Sequence, residues 1–214
     1  MINEYEKTKQ EIELFCQYLI SSDKPETLIL EDKVQNSELV KILKSSALMM
    51  LYNLVEATIR SCITQYYDSY NEIEKSYSEA GDKIKKLWLN YNSKFSKQTF
   101  NEELYSLIDK TFSDSALFLD IEQFHLSGNA DLKEIKKILE KHEINYEEES
   151  ISKYGGTMYA VKKSRNSLAH GNVSFTEASK DLSTNDIVTR YKDDVFGCLD
   201  YLVNVVEQKI SSLK

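Results

Sequence analysis

From Ser37 to Tyr70 the chain runs without a proline or a glycine, and this segment constrains the fold more than any other. Its apolar positions are Leu39, Val40, Ile42, Leu43, Leu48, Met50, Leu51, Leu54, Val55, Ile59, Cys62, Ile63, Tyr66 and Tyr70. Spacings of three and four place them around more than half the circumference of a helix. A helix that apolar is expected to be largely buried, a central pillar for other helices. With one proline and six glycines among 214 residues, the whole chain has few obligatory breaks. An all-α fold follows, and 41% hydrophobic content suffices to pack its core.

The flanking segments fit that class. Ile12, Leu14, Phe15, Tyr18 and Leu19 predict an amphipathic helix over 3–20, stopped by Ser21-Ser22-Asp23-Lys24-Pro25. Residues 72–150 are less regular and read as an additional helical insertion, with short helices at 79–92, 101–110 and 131–143. Thr99 with Glu102 and Asp131 with Glu134 have the spacing of capping boxes. Glu147-Glu148-Glu149 reads as an exposed loop, and Gly155-Gly156 as a flexible lead into a helix from Thr157 to His170 with Met158, Tyr159, Val161, Leu168 and Ala169 as its stripe. Gly171 occupies the usual position just past a helix end. Ser183 with Asp186 signals the start of a last long helix, striped by Ile187, Tyr191, Val195, Cys198, Leu199, Leu202, Val205, Val206 and Ile210. One domain over 1–214, elaborated at 72–150, is the expected organisation.

Bulk properties exclude several roles. The formal net charge of −8 argues against coating of nucleic acid through a broad basic surface, so any such contact must be local. No apolar run reaches the roughly 18 residues needed to cross a bilayer. The first residues, Met1 to Glu6, lack the basic and apolar regions of a signal peptide, so a cytoplasmic protein is expected. Cys16, Cys62 and Cys198 are odd in number and widely spaced, which predicts reduced core thiols rather than disulfides or a zinc site. No metal or other cofactor is expected, and His125 and His142 read as surface or internally satisfied histidines.

The octet Arg165-Asn166-Ser167-Leu168-Ala169-His170-Gly171-Asn172 carries the chemistry. Histidine exchanges protons near neutrality and arginine clamps phosphate with two hydrogen bonds. On a helix, Arg165 and His170 lie about 140° apart and about 7.5 Å along the axis, so one helix supplies half a site. Lys162, Asn166 and His170 form a polar row at i, i+4 spacing, in which Asn166 is placed to orient the imidazole. Lys162 and Lys163 are candidate phosphate-binding cations beside Arg165. Two copies facing each other across a twofold axis would supply a base, an acid and a charge clamp for RNA cleavage. The plainer alternative is an ordinary ion pair for Arg165 and favourable helix C-terminal placement for His170. Glu56 is equally open between an intrahelical pair with Arg60 and service as a partner to Arg165 or His170.

The octet, together with Leu51-Tyr52-Asn53-Leu54-Val55-Glu56-Ala57-Thr58-Ile59-Arg60, resembles the HEPN superfamily, and Ser174-Phe175-Thr176-Glu177 with the last helix resembles its MAE-like branch. The likeness extends loosely over almost the whole chain. It implies a HEPN-type helical bundle, a homodimer, and metal-independent endoribonuclease activity in a toxin or phage-defence effector held in check by a partner protein. Arg165 and His170 match the family's R-x4-H motif, Asn166 its polar position beside the arginine, and Glu56 an acidic residue on the earlier helix. Asn172 departs from HEPN toxins that carry a modifiable tyrosine there. A catalytically silent module that binds nucleotide or protein, and a structural dimerisation domain, are the other roles compatible with these residues.

Overall fold

A computed structural model describes residues 2–24, 29–95, 99–113 and 115–213. Among them the protein is all-α, with no strand and a single isolated bridge between Ser76 and Ala116. The helices are α1 (Ile2–Ser22), α2 (Lys33–Glu72), α3 (Asp82–Asn92), α4 (Phe100–Phe112), α5 (Leu132–Lys141), α6 (Glu148–Ser152), α7 (Gly155–Ala169), α8 (Phe175–Ala178), α9 (Thr184–Asp186) and α10 (Lys192–Ser211). A 3-10 turn (Ile121–Gln123) precedes α5, and a π-helical stretch (Ile187–Tyr191) joins α9 to α10.

Two compact units partition the chain. Unit 1 comprises 1–59, 126–134 and 147–202; unit 2 comprises 60–125, 135–146 and 203–214. Helices α2, α5 and α10 contribute residues to both.

The unbroken segment forms a helix of 40 residues, slightly longer than expected at each end. Leu48, Leu51, Tyr52, Leu54, Val55, Ile59, Cys62, Ile63, Tyr66, Tyr67 and Tyr70 are buried along it, whereas Ile42 is exposed. In α1 the buried apolar positions are Tyr5, Ile12, Cys16 and Leu19, a narrower stripe than the sequence suggests. Leu14 and Tyr18 lie outside that stripe and face solvent. The helix ends at Ser22; Pro25, expected to enforce the stop, lies outside the described residues.

Caps divide in the same way. Asp131 accepts from the Glu134 N–H at 3.0 Å and Ser183 Oγ accepts from the Asp186 N–H at 3.0 Å, each relieving an unpaired helical donor. Thr99 occupies the N-cap of α4 but makes no capping hydrogen bond, since its φ of −114° and ψ of 12° differ from the extended backbone that a capping side chain requires. A reciprocal box unmarked in the sequence reading starts α8, with Ser174 and Glu177 each bonding the other's backbone. Glu148 and Glu149 are exposed as expected but belong to the first turn of α6, where negative charge suits the helix dipole. Gly155 and Gly156 begin α7 rather than lead flexibly into it. An added Cβ at Gly155 would lie 3.3 Å from the Leu132 side chain, a tight contact.

The interior of unit 2 contains a directed hydrogen-bond chain. His142 Nδ1 lies 2.6 Å from the Ile138 carbonyl oxygen, an acceptor only, so Nδ1 carries the proton. Nε2 then accepts from Tyr67 Oη at 2.9 Å, and Tyr67 Oη accepts from Tyr91 Oη at 2.8 Å. His142 is thus an internally satisfied histidine, and burial lowers its pKa to about 4. His125, by contrast, is exposed. Cys16, Cys62 and Cys198 are free and buried, and burial pushes all three thiols up, Cys62 and Cys198 to about 12.

Candidate functional site

Helix α7 delivers the motif. Its buried face consists of Thr157, Met158, Val161 and Leu168; Tyr159 and Ala169, expected in that stripe, are exposed. The helix ends in a Schellman arrangement: Asn172 N–H donates to the Ser167 carbonyl at 2.9 Å and Gly171 N–H to the Leu168 carbonyl at 3.1 Å. Gly171 has a φ of +67°, a left-handed conformation that costs a residue with a Cβ. His170 is the residue just before this turn, and Ala169 through Asn172 are exposed. Among the described residues its imidazole has no hydrogen-bond partner, so both ring nitrogens are open to an incoming group.

Arg165 is held from several sides within unit 1. Its guanidinium lies over the Tyr52 ring, 4.8 Å from the centroid. Nη1 donates to the Gly128 carbonyl at 3.3 Å and to Asn166 Oδ1 at 3.2 Å, while Nη2 stands 3.8 Å from Glu56 Oε2. About a quarter of the arginine side chain stays exposed, enough to meet an anion without breaking these contacts. Glu56 therefore faces Arg165, and Arg60 pairs instead with Glu122 at 3.8 Å. Tyr52 links the two: its hydroxyl donates to Glu56 Oε1 at 2.9 Å and accepts from the Ala130 N–H at 3.1 Å. Burial first, then the neighbouring Glu56 carboxylate, raises the Tyr52 phenol to about 12, so it remains a neutral donor.

Asn166 does not orient the imidazole. Its Nδ2 donates to Asn129 Oδ1 at 2.8 Å and its Oδ1 takes the Arg165 bond, which commits the amide to the 128–131 loop and to the arginine. The expected polar row of Lys162, Asn166 and His170 divides for that reason. Lys162 donates to Asp131 Oδ2 and lies over the Tyr159 ring at 5.0 Å, so its amine is already committed. Burial alone would push the Asp131 carboxyl up, but the hydrogen bonds from Lys162 and the Glu134 N–H together hold it below its ordinary value. Lys163 is exposed and unpaired among the described residues.

The HEPN_MAE_28990-like HEPN family model matches residues 2–214. The chain belongs to the HEPN superfamily. No curated protein and no solved structure gives a significant match.

In this HEPN chain the loop from Gly128 to Asp131 is the part of the site that sequence reasoning missed. Each of its four residues holds something at the motif: Gly128 and Asn129 hold Arg165 and Asn166, Ala130 holds Tyr52, and Asp131 holds Lys162. Gly128 takes a φ of +70°, which turns its carbonyl toward the arginine. The Ser127-Gly128-Asn129 turn composition was a visible signal, but nothing in it names the helix it contacts. Tyr52 was also legible as the i, i+4 neighbour of Glu56, in the segment that carries the family resemblance. No group of three or more histidine, cysteine, aspartate or glutamate side chains among the described residues is placed to hold a metal ion, and no described helix is long and apolar enough to cross a membrane.

Proposed function

We propose that this HEPN chain is a metal-independent endoribonuclease that cleaves RNA at a composite site formed by two copies. The observation that carries the reading is the contrast within one R-x4-H motif: an imidazole with both nitrogens open, and a guanidinium that is fixed but partly exposed. Anchoring of Arg165 by Tyr52, Glu56, Gly128 and Asn166 removes conformational freedom before substrate arrives, which is how a charge stabiliser works best.

In the proposed reaction one His170 takes the proton of an RNA 2'-hydroxyl, and O2' attacks the adjacent phosphorus. The P–O5' bond breaks, and the departing O5' receives a proton from the His170 of a second copy. The products are a 2',3'-cyclic phosphate and a 5'-hydroxyl. Arg165 stabilises the charge on the five-coordinate phosphorus. Asn166, Glu56 and Tyr52 position the arginine, Lys162 braces the 128–131 loop through Asp131, and Lys163 binds backbone phosphate. In the setting the family implies, the enzyme is a toxin or phage-defence effector restrained by a partner protein.

The test is incubation of the purified protein with RNA in EDTA, alongside Arg165→Ala and His170→Ala and a measurement of mass in solution. Cleavage by the wild-type dimer and its loss in both variants is expected; equal cleavage by all three refutes the assignment. The ligation of Arg165 by three side chains also suits a silent dimerisation module. That reading requires wild-type protein to leave RNA intact and both variants to lower dimer stability.

A further inference from the structure

Helix α4 of unit 2 presents an apolar face to solvent. Of its 13 residues only Leu107 is buried, and it anchors the helix. At about 100° per residue, Tyr105, Ile108 and Phe112 share a stripe centred about 130° round the helix from Leu107. They are 73%, 47% and 88% exposed. None of the three side chains has a hydrogen-bond or aromatic partner among the described residues. A Phe or Tyr side chain offers about 150–250 Å² for burial, so Tyr105 and Phe112 alone approach the few hundred Å² at which an apolar patch marks an interaction site. The two edges of the stripe differ in charge. Glu102 and Asp109, seven residues apart, lie along one edge, about 75° from its centre. Both are exposed, and neither carboxylate has a partner among the described residues. Leu104 and Thr111 form the other edge, without charge. Lys110 is the one cation of α4 and lies about 165° from the stripe, where it lines a cavity with Trp88 and Tyr91. The stripe is therefore bordered by negative charge that nothing on α4 compensates.

That edge selects the occupant. An anionic lipid surface would meet Glu102 and Asp109 as like charges, in a chain whose formal net charge is −8. Pairing with α4 of a second copy brings the two acidic edges together if the helices run antiparallel, and sets each against an uncharged edge if they run parallel. Lys110 points away in both arrangements. A helix of another protein, apolar at spacings of three and four and carrying Lys or Arg along one edge, covers the rings and supplies the missing charge. We propose that the Tyr105, Ile108 and Phe112 face of α4 docks such a basic amphipathic helix, with its cations paired to Glu102 and Asp109. This face shares no residue with the Arg165 and His170 motif, so the docking stands apart from the proposed cleavage.

Two labelled synthetic peptides probe the face, both helical and identical in their leucine stripe, one with lysines and one with glutamates along the same edge. Each is titrated with the full chain and followed by fluorescence anisotropy. The lysine-edged peptide is expected to bind about tenfold tighter than the glutamate-edged one at low salt, a gap that narrows as salt screens the charges. Phe112→Ser should weaken the lysine-edged peptide by about tenfold or more. Phe112 is 88% exposed, so its replacement leaves the fold intact, which an unchanged melting temperature verifies. Glu102→Lys combined with Asp109→Lys should reverse the preference, so that the glutamate-edged peptide binds tighter. No binding of the lysine-edged peptide up to millimolar concentration, equal affinity for the two peptides, or full binding by Phe112→Ser overturns the proposal. Two further measurements look for the competing occupants. A mass in solution that falls when Tyr105→Ser and Phe112→Ser are combined identifies a second copy on this face. Cosedimentation with vesicles of phosphatidylcholine and phosphatidylserine that is lost in the same double variant identifies a membrane. Either result also overturns the proposal. Peptide binding must survive His170→Ala whatever the outcome of the cleavage assay.

Discussion

The guanidinium of Arg165 lies 4.8 Å above the ring of Tyr52, and the same tyrosine's hydroxyl bonds the Ala130 N–H and Glu56. One side chain thus supports both the arginine and the loop that grips it. Tyr52→Phe keeps the ring but strands the buried Ala130 N–H, at a cost of about 1–3 kcal/mol. Tyr52→Ala also removes the ring from a fully buried position and should cost about 3–5 kcal/mol. Denaturant unfolding gives both values. On the proposed nuclease, Tyr52→Phe should retain more RNA cleavage than Tyr52→Ala, because the platform under Arg165 survives.

Two left-handed glycines flank the site and separate backbone strain from crowding. An alanine Cβ at Gly171 would meet no atom within 4 Å, and at Gly128 it would lie 3.5 Å from Arg165 Nη1, an ordinary contact. The φ values of +67° and +70° alone should therefore cost about 1–2 kcal/mol in each variant. A melting temperature unchanged in both would show that neither turn needs its conformation. For the proposed cleavage, Gly171→Ala should act through the placement of His170 and Gly128→Ala through Arg165.

Lys162 and Lys163 are neighbours with different tasks. Lys162→Ala breaks the contact with Asp131 that braces the loop and should lower stability, by no more than about 1–2 kcal/mol because both side chains retain some exposure. Lys163→Ala should leave the melting temperature unchanged. In the proposed RNA complex it should weaken binding and reduce the slope of log affinity against log salt by about 0.7, the release of one counterion from a single strand. Equal salt slopes for wild type and Lys163→Ala would remove this lysine from the interface.

His142 ties stability to pH. Its pKa in the folded state is about 4, against an ordinary value near 6.5, so between those limits the unfolded chain binds the extra proton. Stability from this group is intact above about pH 6.5, declines as pH falls toward 4, and levels off below. The total is roughly 3 kcal/mol, at about 1.4 kcal/mol per pH unit. His142→Gln should flatten that part of the profile even though it lowers stability at neutral pH. Unfolding at pH 7.5, 5.5 and 4.5 in the two proteins isolates the histidine from the carboxylates they share.

Periodicity determined much of this protein. The all-α class, the long α2, the stripe of α10 and the turn at Gly171 follow from local rules that act over one or two helical turns, and those rules hold wherever the segment is placed. The motif itself was equally legible, since Arg165 and His170 are fixed on their helix by spacing alone. The exceptions share one cause. Tyr159, Leu14 and Ile42 have core chemistry but are exposed among the described residues, and Thr99 has capping chemistry on a backbone that does not present it. Local pattern states what a side chain is able to do; packing determines whether a partner arrives. Only the tertiary structure brought residues 128–131 onto α7, took Asn166 away from His170 and gave it to Arg165, and set Glu56 against Arg165 rather than Arg60. These contacts join residues that are distant in the chain, through a loop whose composition marks a turn but not its destination, and the choice among competing polar partners is made by distance in space.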